Sequence, residues 1–201
     1  MNKAVIIGGG TFNHISCHLA LAAPAFGQTA RDMARWFPQI TKDMECILTL
    51  TKMADHTSAL VTNQDVMAYV ASLLTDPLVK IIVLNAAICD FEIESPSEET
   101  RLSSKQDYPV VMKGITSKII GGIKALRPDI VVCGFKTTHG ATRREQEEKA
   151  VNSMLTNNLD FVVANDLGTR CNMLITDHCV VIDERYKLLN QMLDWAVHKC
   201  G

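Results

Sequence analysis

Residues 80–91 read Lys80-Ile81-Ile82-Val83-Leu84-Asn85-Ala86-Ala87-Ile88-Cys89-Asp90-Phe91, an unbroken apolar run that gives way to small residues and a carboxylate. A strand with one wet face alternates apolar and polar side chains. Ile81 to Leu84 does not alternate, so it reads as a strand buried on both faces, as in a parallel sheet between two helix layers. Ile130-Val131-Val132-Cys133 has the same character. Outward from these two cores, short β-branched runs predict strands at residues 4–7, 46–51, 161–164, 173–176 and 179–182, beside 80–85 and 130–135. The last two flank Asp177-His178, a two-residue turn that predicts an antiparallel hairpin at the sheet's edge.

Amphipathic stretches fill the intervals. Residues 29–37 set Met33, Trp36 and Phe37 against Arg31, Asp32 and Arg35, and Pro38 is expected to follow the end of that helix. Asn63 is the expected cap of a helix over 64–74, with Val66, Met67, Val70, Leu73 and Leu74 at helical spacing. A helix over 117–126 should stop before Arg127-Pro128, because proline disfavours helix at the residue before it. Residues 141–157 carry a charged wet side, with Ala150, Met154 and Leu155 expected inward, and 184–198 form the closing helix. This alternation predicts an α/β fold: a doubly wound, mostly parallel, Rossmann-like sheet with an antiparallel hairpin at one edge. Residues 1–201 are expected to make one α/β domain. Residues 92–113 lack any period and are expected to form an irregular flap, since a loop of that length in a compact domain is usually functional.

The chain has 201 residues, 47% of them hydrophobic and 21% charged, which excludes a disordered or low-complexity protein. A net charge of −2 gives no general surface for nucleic acid or acidic membrane, so neither partner is expected. The seven cysteines (Cys17, Cys46, Cys89, Cys133, Cys171, Cys179 and Cys200) are odd in number, scattered and without a CxxC pair. That pattern fits free thiols in a reducing cytoplasm, and the six histidines do not join them at metal-ligand spacing, so no metal ligands are expected. The apolar run after Lys3 ends at Gly8, so no secretory leader is expected there. No apolar stretch approaches the roughly 18 residues of a membrane span.

Four constellations could carry chemistry. The first strand runs into Gly8-Gly9-Gly10-Thr11, where glycines let a ligand approach the backbone and Thr11 adds a hydroxyl, a combination that suits phosphate oxygens. The other reading is a tight turn that needs glycine for geometry alone. A dinucleotide-binding GxGxxG would want glycine where Asn13 stands, and the P-loop string is absent. Ala86, Ala87 and Asp90 offer close approach and a carboxylate at a strand's carboxyl end. Phe135 beside Lys136 could stack on a base and meet a phosphate, and Ala164-Asn165 brings an amide past another strand. Singly each is weak. Together they gather polar residues at the same end of four strands, where open α/β sheets bind their ligands.

The order of these pieces resembles phosphopantothenoylcysteine synthetase, the coenzyme A biosynthesis ligase that bacteria often fuse to a flavin decarboxylase. The matching stretches are Gly9-Gly10-Thr11, Ala86-Ala87-Ile88-Cys89-Asp90-Phe91, Arg101-Leu102-Ser103-Ser104-Lys105, Gly134-Phe135-Lys136 and Leu159-Asp160-Phe161-Val162-Val163-Ala164-Asn165. The resemblance implies a carbon–nitrogen ligase that uses CTP or ATP with Mg²⁺ to activate 4′-phosphopantothenate as an acyl-nucleotide, which cysteine then attacks. It further implies a homodimer and, since the decarboxylase half has no counterpart here, no flavin. Carried over, Gly8, Gly9, Gly10 and Thr11 lie by the phosphates, while Ala86, Ala87, Asp90, Phe135, Lys136, Ala164 and Asn165 hold the nucleotide. Arg101 and Lys105 belong to a flap over the site. The family's N-x-S-S-G-x-x-G stretch reads Ala20-Leu21-Ala22-Ala23-Pro24-Ala25-Phe26-Gly27 here, with only the final glycine kept, and Asn13 is the nearest candidate for the asparagine's role. Arg101-Leu102-Ser103-Ser104 is closer to the eukaryotic K-I-Q-S flap, whose owners prefer ATP. A catalytically altered relative that binds nucleotide in a regulatory or different ligase role is the alternative.

Overall fold

The computed structural model describes residues 1–115 and 119–200. Seven strands form one sheet, in the spatial order β11 (Val180–Ile182), β10 (Asn172–Ile175), β9 (Phe161–Asp166), β8 (Val131–Thr138), β5 (Val79–Ala87), β1 (Asn2–Gly10) and β4 (Met44–Leu50), labelled in chain order. The five from β9 to β4 are parallel. β10 and β11 add an antiparallel edge, as the Asp177-His178 turn predicts. Unbroken apolar strands here have two buried faces. Val5, Ile7, Ile82, Val132 and Val162 point into one core, while Ala4, Ile6, Ile81, Val131 and Val163 point into the other.

Helices α1 (Gln28–Ile40) and α5 (Arg185–Lys199) cover the second core with Met33, Phe37, Leu188 and Met192. Helices α2 (Asn63–Leu74) and α4 (Arg143–Asn157) cover the first, with Val66, Val70, Ala150 and Met154. The chain steps from β1 to β4 on one side, then returns past β1 to β5 on the other. The strand order therefore reverses between β1 and β5, where such sheets open a crevice at their carboxyl ends.

Several local expectations are corrected. Thr62, not Asn63, caps α2: its hydroxyl accepts from the Asp65 N–H, and the Asp65 carboxylate accepts from the Thr62 N–H, a reciprocal box. α1 continues through Pro38 to Ile40, and the missing Pro38 N–H leaves the Ala34 carbonyl without its helical partner. α4 begins after a Thr142–Glu145 box, and Leu155 is 71% exposed: it sits one residue past buried Met154, about 100° round the helix. The helix expected over 117–126 begins outside the described residues. Its remainder is a 3₁₀ turn, Ile119–Gly122, and the single turn α3 (Ile123–Leu126). Strand ends run further than expected, so Gly8–Gly10, Lys136–Thr138 and Asn165–Asp166 all belong to strands rather than to the loops after them.

Two antiparallel ribbons lie outside the main sheet. β2 (Phe12–Ser16) pairs with β3 (Leu19–Ala22), a hairpin that no turn residue announced. β6 (Phe91–Ile93) pairs with β7 (Met112–Gly114), which corrects the view of the flap as irregular throughout: its neck is a two-stranded ribbon and its tip lacks regular structure.

Candidate active site

A cavity of about 650 Å³ opens over the carboxyl ends of β5, β8 and β9. Of the residues expected at the site, the structure brings Ala86, Ala87, Asp90, Phe135, Lys136 and Asn165 into its lining. Phe135 is half-buried on the lining and packs against the core under α1 and α5, while Ile119, Ile120 and Leu159 line the cavity from the other core. Asn165 is 6% exposed, and its Oδ1 accepts from Thr137 Oγ1 at 3.2 Å, which leaves the Nδ2 donors without a partner among the described residues. Gly134 is needed for closeness: a Cβ there would stand 2.7 Å from Leu159 Cδ1.

Asn165 is held by its neighbour. The buried Asp166 carboxylate accepts from the N–H groups of Thr169, Ala141, Gly140 and Gly168 and from the hydroxyls of Thr138 and Thr169. These donors, the Thr169 N–H foremost, hold its pKa well below the usual carboxylate range. Asp166 thereby ties the turn after β9 to the loop that starts α4.

The glycine stretch stands elsewhere. Gly8, Gly9, Gly10 and Thr11 are buried and do not line the cavity, which corrects the expectation of a loop open to phosphate. Gly8 lets α1 approach, since a Cβ would fall 2.3 Å from Ala30 Cβ. Gly9 has φ +104, and a Cβ on Gly10 would meet the Ala23 carbonyl at 2.0 Å. Thr11 Oγ1 donates to Asn63 Oδ1 at 2.6 Å and accepts from the Cys89 N–H at 3.1 Å, while Asn63 Nδ2 donates to the Cys89 carbonyl at 2.8 Å. This closed triangle fixes the turn that carries Asp90.

What the glycines seat is the segment Pro24-Ala25-Phe26-Gly27 and the first turn of α1, both on the cavity wall. Gly27 caps α1 in the left-handed conformation, φ 73 and ψ 10, with no side-chain cap, and the first turn holds no acidic residue. Free N–H groups and the helix dipole favour an anion there. Sequence reasoning missed this end, because only Gly27 marks it. It also missed Asn85, Asn157 and Arg185 on the lining, Arg185 having no local pattern that sets it apart from any first residue of an amphipathic helix.

Asn13, Arg101, Lys105 and Ala164 do not line the cavity. Ala164 is fully buried in the core, because it points to the sheet face opposite its neighbour's amide. Asn13 donates its Nδ2 to the Phe91 carbonyl at the neck of the flap. Arg101 and Lys105 are exposed on the flap's tip. Among the described residues no three of His, Cys, Asp or Glu gather as a metal cluster, and no helix is long and apolar enough to cross a membrane.

Fold and cavity define an open α/β protein with a cavity at the carboxyl edge of its parallel sheet. The family model of the DNA/pantothenate metabolism flavoprotein C-terminal domain matches residues 2–192, and the chain belongs to this family. The coenzyme A biosynthesis bifunctional protein CoaBC of Methanocaldococcus jannaschii is 26% identical over 173 residues, which cover 83% of this chain and 41% of that protein. The chain thus spans less than half the length of the curated relatives it matches. The DNA/pantothenate metabolism flavoprotein from Streptococcus pneumoniae has the same fold, with a TM-score of 0.83, 17% identity and coverage of 98% of this chain and 99% of that one. A Cab2 mutant in complex with phosphopantothenate-cysteine superposes with a TM-score of 0.67 at 10% identity, over 99% of this chain and 86% of that one.

Proposed function

We propose that the chain is a ligase that joins 4′-phosphopantothenate to cysteine through an acyl-nucleotide, in coenzyme A biosynthesis. The observation that carries the reading is the cavity, which in a chain of this family pairs an aromatic and amide wall, Phe135 and Asn165, with an electropositive end at α1. In the first step the acid's carboxylate attacks the α-phosphate of CTP or ATP, and pyrophosphate leaves. In the second, the amine of cysteine attacks the acyl carbon, the nucleoside monophosphate leaves and the amine proton goes to solvent or base. Such chemistry needs positioning and charge neutralisation more than a protein nucleophile.

Phe135 stacks on the base, and the Asn165 Nδ2 donors meet base or sugar. Lys136 and the N–H groups at the start of α1 face the phosphates. Asp90, on its braced turn, receives a nucleoside hydroxyl. Gly8, Gly9, Gly10 and Thr11 act by seating the phosphate-facing segment. Arg101 and Lys105 on the flap close over the bound nucleotide, and Asn13 steadies the flap's neck. Mg²⁺ would come as an ion carried on the polyphosphate and water, which it binds readily, because the one carboxylate on the described lining, Asp90, is taken by the nucleoside. When bound it neutralises phosphate charge. The protein works in the cytoplasm as a homodimer.

The test is pyrophosphate release with Mg²⁺ and CTP or ATP, with and without 4′-phosphopantothenate and cysteine. Release that requires the acid supports the ligase. Nucleotide-induced stabilisation without release supports the altered, binding-only relative, for which the absence of the Ser-Ser-Gly string before α1 speaks.

A further inference from the structure

Arg185 opens α5 and reaches the cavity from the sheet face that α1 also covers. Its Nη2 donates to Thr29 Oγ1, on the second residue of α1, at 3.2 Å. Most other half-buried cations meet an acid or a carbonyl: Lys3 meets Asp76, Lys124 meets Asp160, Arg127 meets Asp129, and Arg31 donates to the Phe26 and Ala54 carbonyls. Arg185 meets none among the described residues, and burial alone holds its pKa below the usual arginine value. A half-buried guanidinium without a counter-charge, on the wall of a cavity, is poised for an anion from outside. The segment before α1 offers no help of its own, because Ala23-Pro24-Ala25-Phe26-Gly27 carries no side-chain donor.

We infer that Arg185 joins Lys136 and the α1 N–H groups in reading the polyphosphate of the nucleotide, supplying from α5 the charge that the segment before α1 lacks. The inference rests on the nucleotide reading of this cavity. A guanidinium has five donors in a planar fork; one is engaged by Thr29, and the rest can take two phosphate oxygens at once. Because Thr29 orients the fork from the first turn of α1, guanidinium and helix N–H groups converge on the same oxyanions. Phosphate oxygens could arrive on the nucleoside triphosphate or on 4′-phosphopantothenate, and Arg185's position at α1 assigns it to the triphosphate.

The experiment is titration of the wild-type chain and of Arg185→Ala, Arg185→Lys and Arg185→Gln with four probes: ATP, CTP, their nucleosides and 4′-phosphopantothenate. Arg185→Ala should weaken triphosphate binding roughly 10- to 100-fold, the worth of a charge-assisted hydrogen bond pair. It should leave nucleosides and 4′-phosphopantothenate within about twofold, and Arg185→Lys should regain part of the loss. Arg185→Gln keeps a donor for Thr29 without the charge, so it stands in for the alanine variant if that one unfolds early. Unchanged triphosphate affinity in Arg185→Ala and Arg185→Gln overturns the assignment, as does an equal loss for nucleosides or a loss confined to 4′-phosphopantothenate. A wild-type chain that binds neither nucleotide nor nucleoside would instead remove the nucleotide reading itself. Binding that Arg185→Ala leaves intact removes only the role of Arg185.

Discussion

Thr11 illustrates how a residue can belong to a motif and act through its neighbours. Its hydroxyl has no exposure and is engaged by both Asn63 and Cys89. Replacing it with valine keeps the shape but leaves the Asn63 Oδ1 and the Cys89 N–H unsatisfied, each at a cost of about 1–3 kcal/mol when buried. Thr11→Val should therefore lower unfolding free energy by roughly 2–3 kcal/mol in urea. Nucleotide affinity, measured well below the melting temperature, should change by less than about threefold, against the roughly 10- to 100-fold loss expected for a direct phosphate ligand. A large loss of affinity at unchanged stability would return Thr11 to the phosphates. The string Gly9-Gly10-Thr11 was legible in the sequence, but its role was not. A hydroxyl after a glycine pair looks the same whether it faces a phosphate or an amide from another element.

At the scale of elements, the site is built by docking rather than by its own loops. α1 can lie on β1 only because Gly8 presents no Cβ to Ala30, and the segment before α1 can reach the cavity only because Gly10 yields to the Ala23 carbonyl. Gly8→Ala forces a 2.3 Å contact with the Ala30 Cβ, which has no torsion to move it aside, so α1 must shift. The variant should lose about 2–3 kcal/mol of stability, as overpacking does, and its nucleotide affinity should fall as well, because the moved helix start is a wall of the cavity. Chemical denaturation and a binding titration on the same sample check both parts. The flap has a similar dependence. Its neck is latched to the β2–β3 hairpin by Asn13 on Phe91, by the Ser97 N–H on the Ile15 carbonyl and by His18 Nδ1 against the Thr100 carbonyl. The apolar strands were readable because each one's burial is written in its own residues. The β2–β3 hairpin was not, because Phe12–Ala22 has no glycine or proline turn, and its pairing depends on what it packs against.

Across the whole molecule, the two helix layers are joined at the sheet's amino edge by one carboxylate. Asp160 accepts from Lys124 Nζ at 2.7 Å on one face, from Lys199 Nζ at 3.0 Å on the other and from the Val132 N–H at 2.8 Å. Burial pushes its pKa up, but the Lys124 and Val132 donors with Lys199 outweigh it and hold the carboxyl below its usual range. A depressed folded pKa contributes stability above the unfolded value near 3.9, and that stability is lost as pH falls below it. Asp160→Asn should cost about 3 kcal/mol at neutral pH, because Lys124 is left charged and largely buried. The variant should also lose less than the wild type does between about pH 5 and 3. Denaturation midpoints across that range measure both; parallel acid limbs would dismiss the carboxylate's part.

The sequence by itself determined the layered α/β class, the parallel sense of the central strands and the end of the sheet where polar residues collect. Those properties depend on local burial and alternation, which every strand and helix carries within a few residues. Tertiary structure alone decided which of those residues line the cavity. Thr11 and Asn63 are 52 positions apart and Arg185 and Thr29 are 156 apart, so their partnership exists only once the helices pack on the sheet. A hydrogen bond is a property of a pair, and no pattern within either segment specifies the other member.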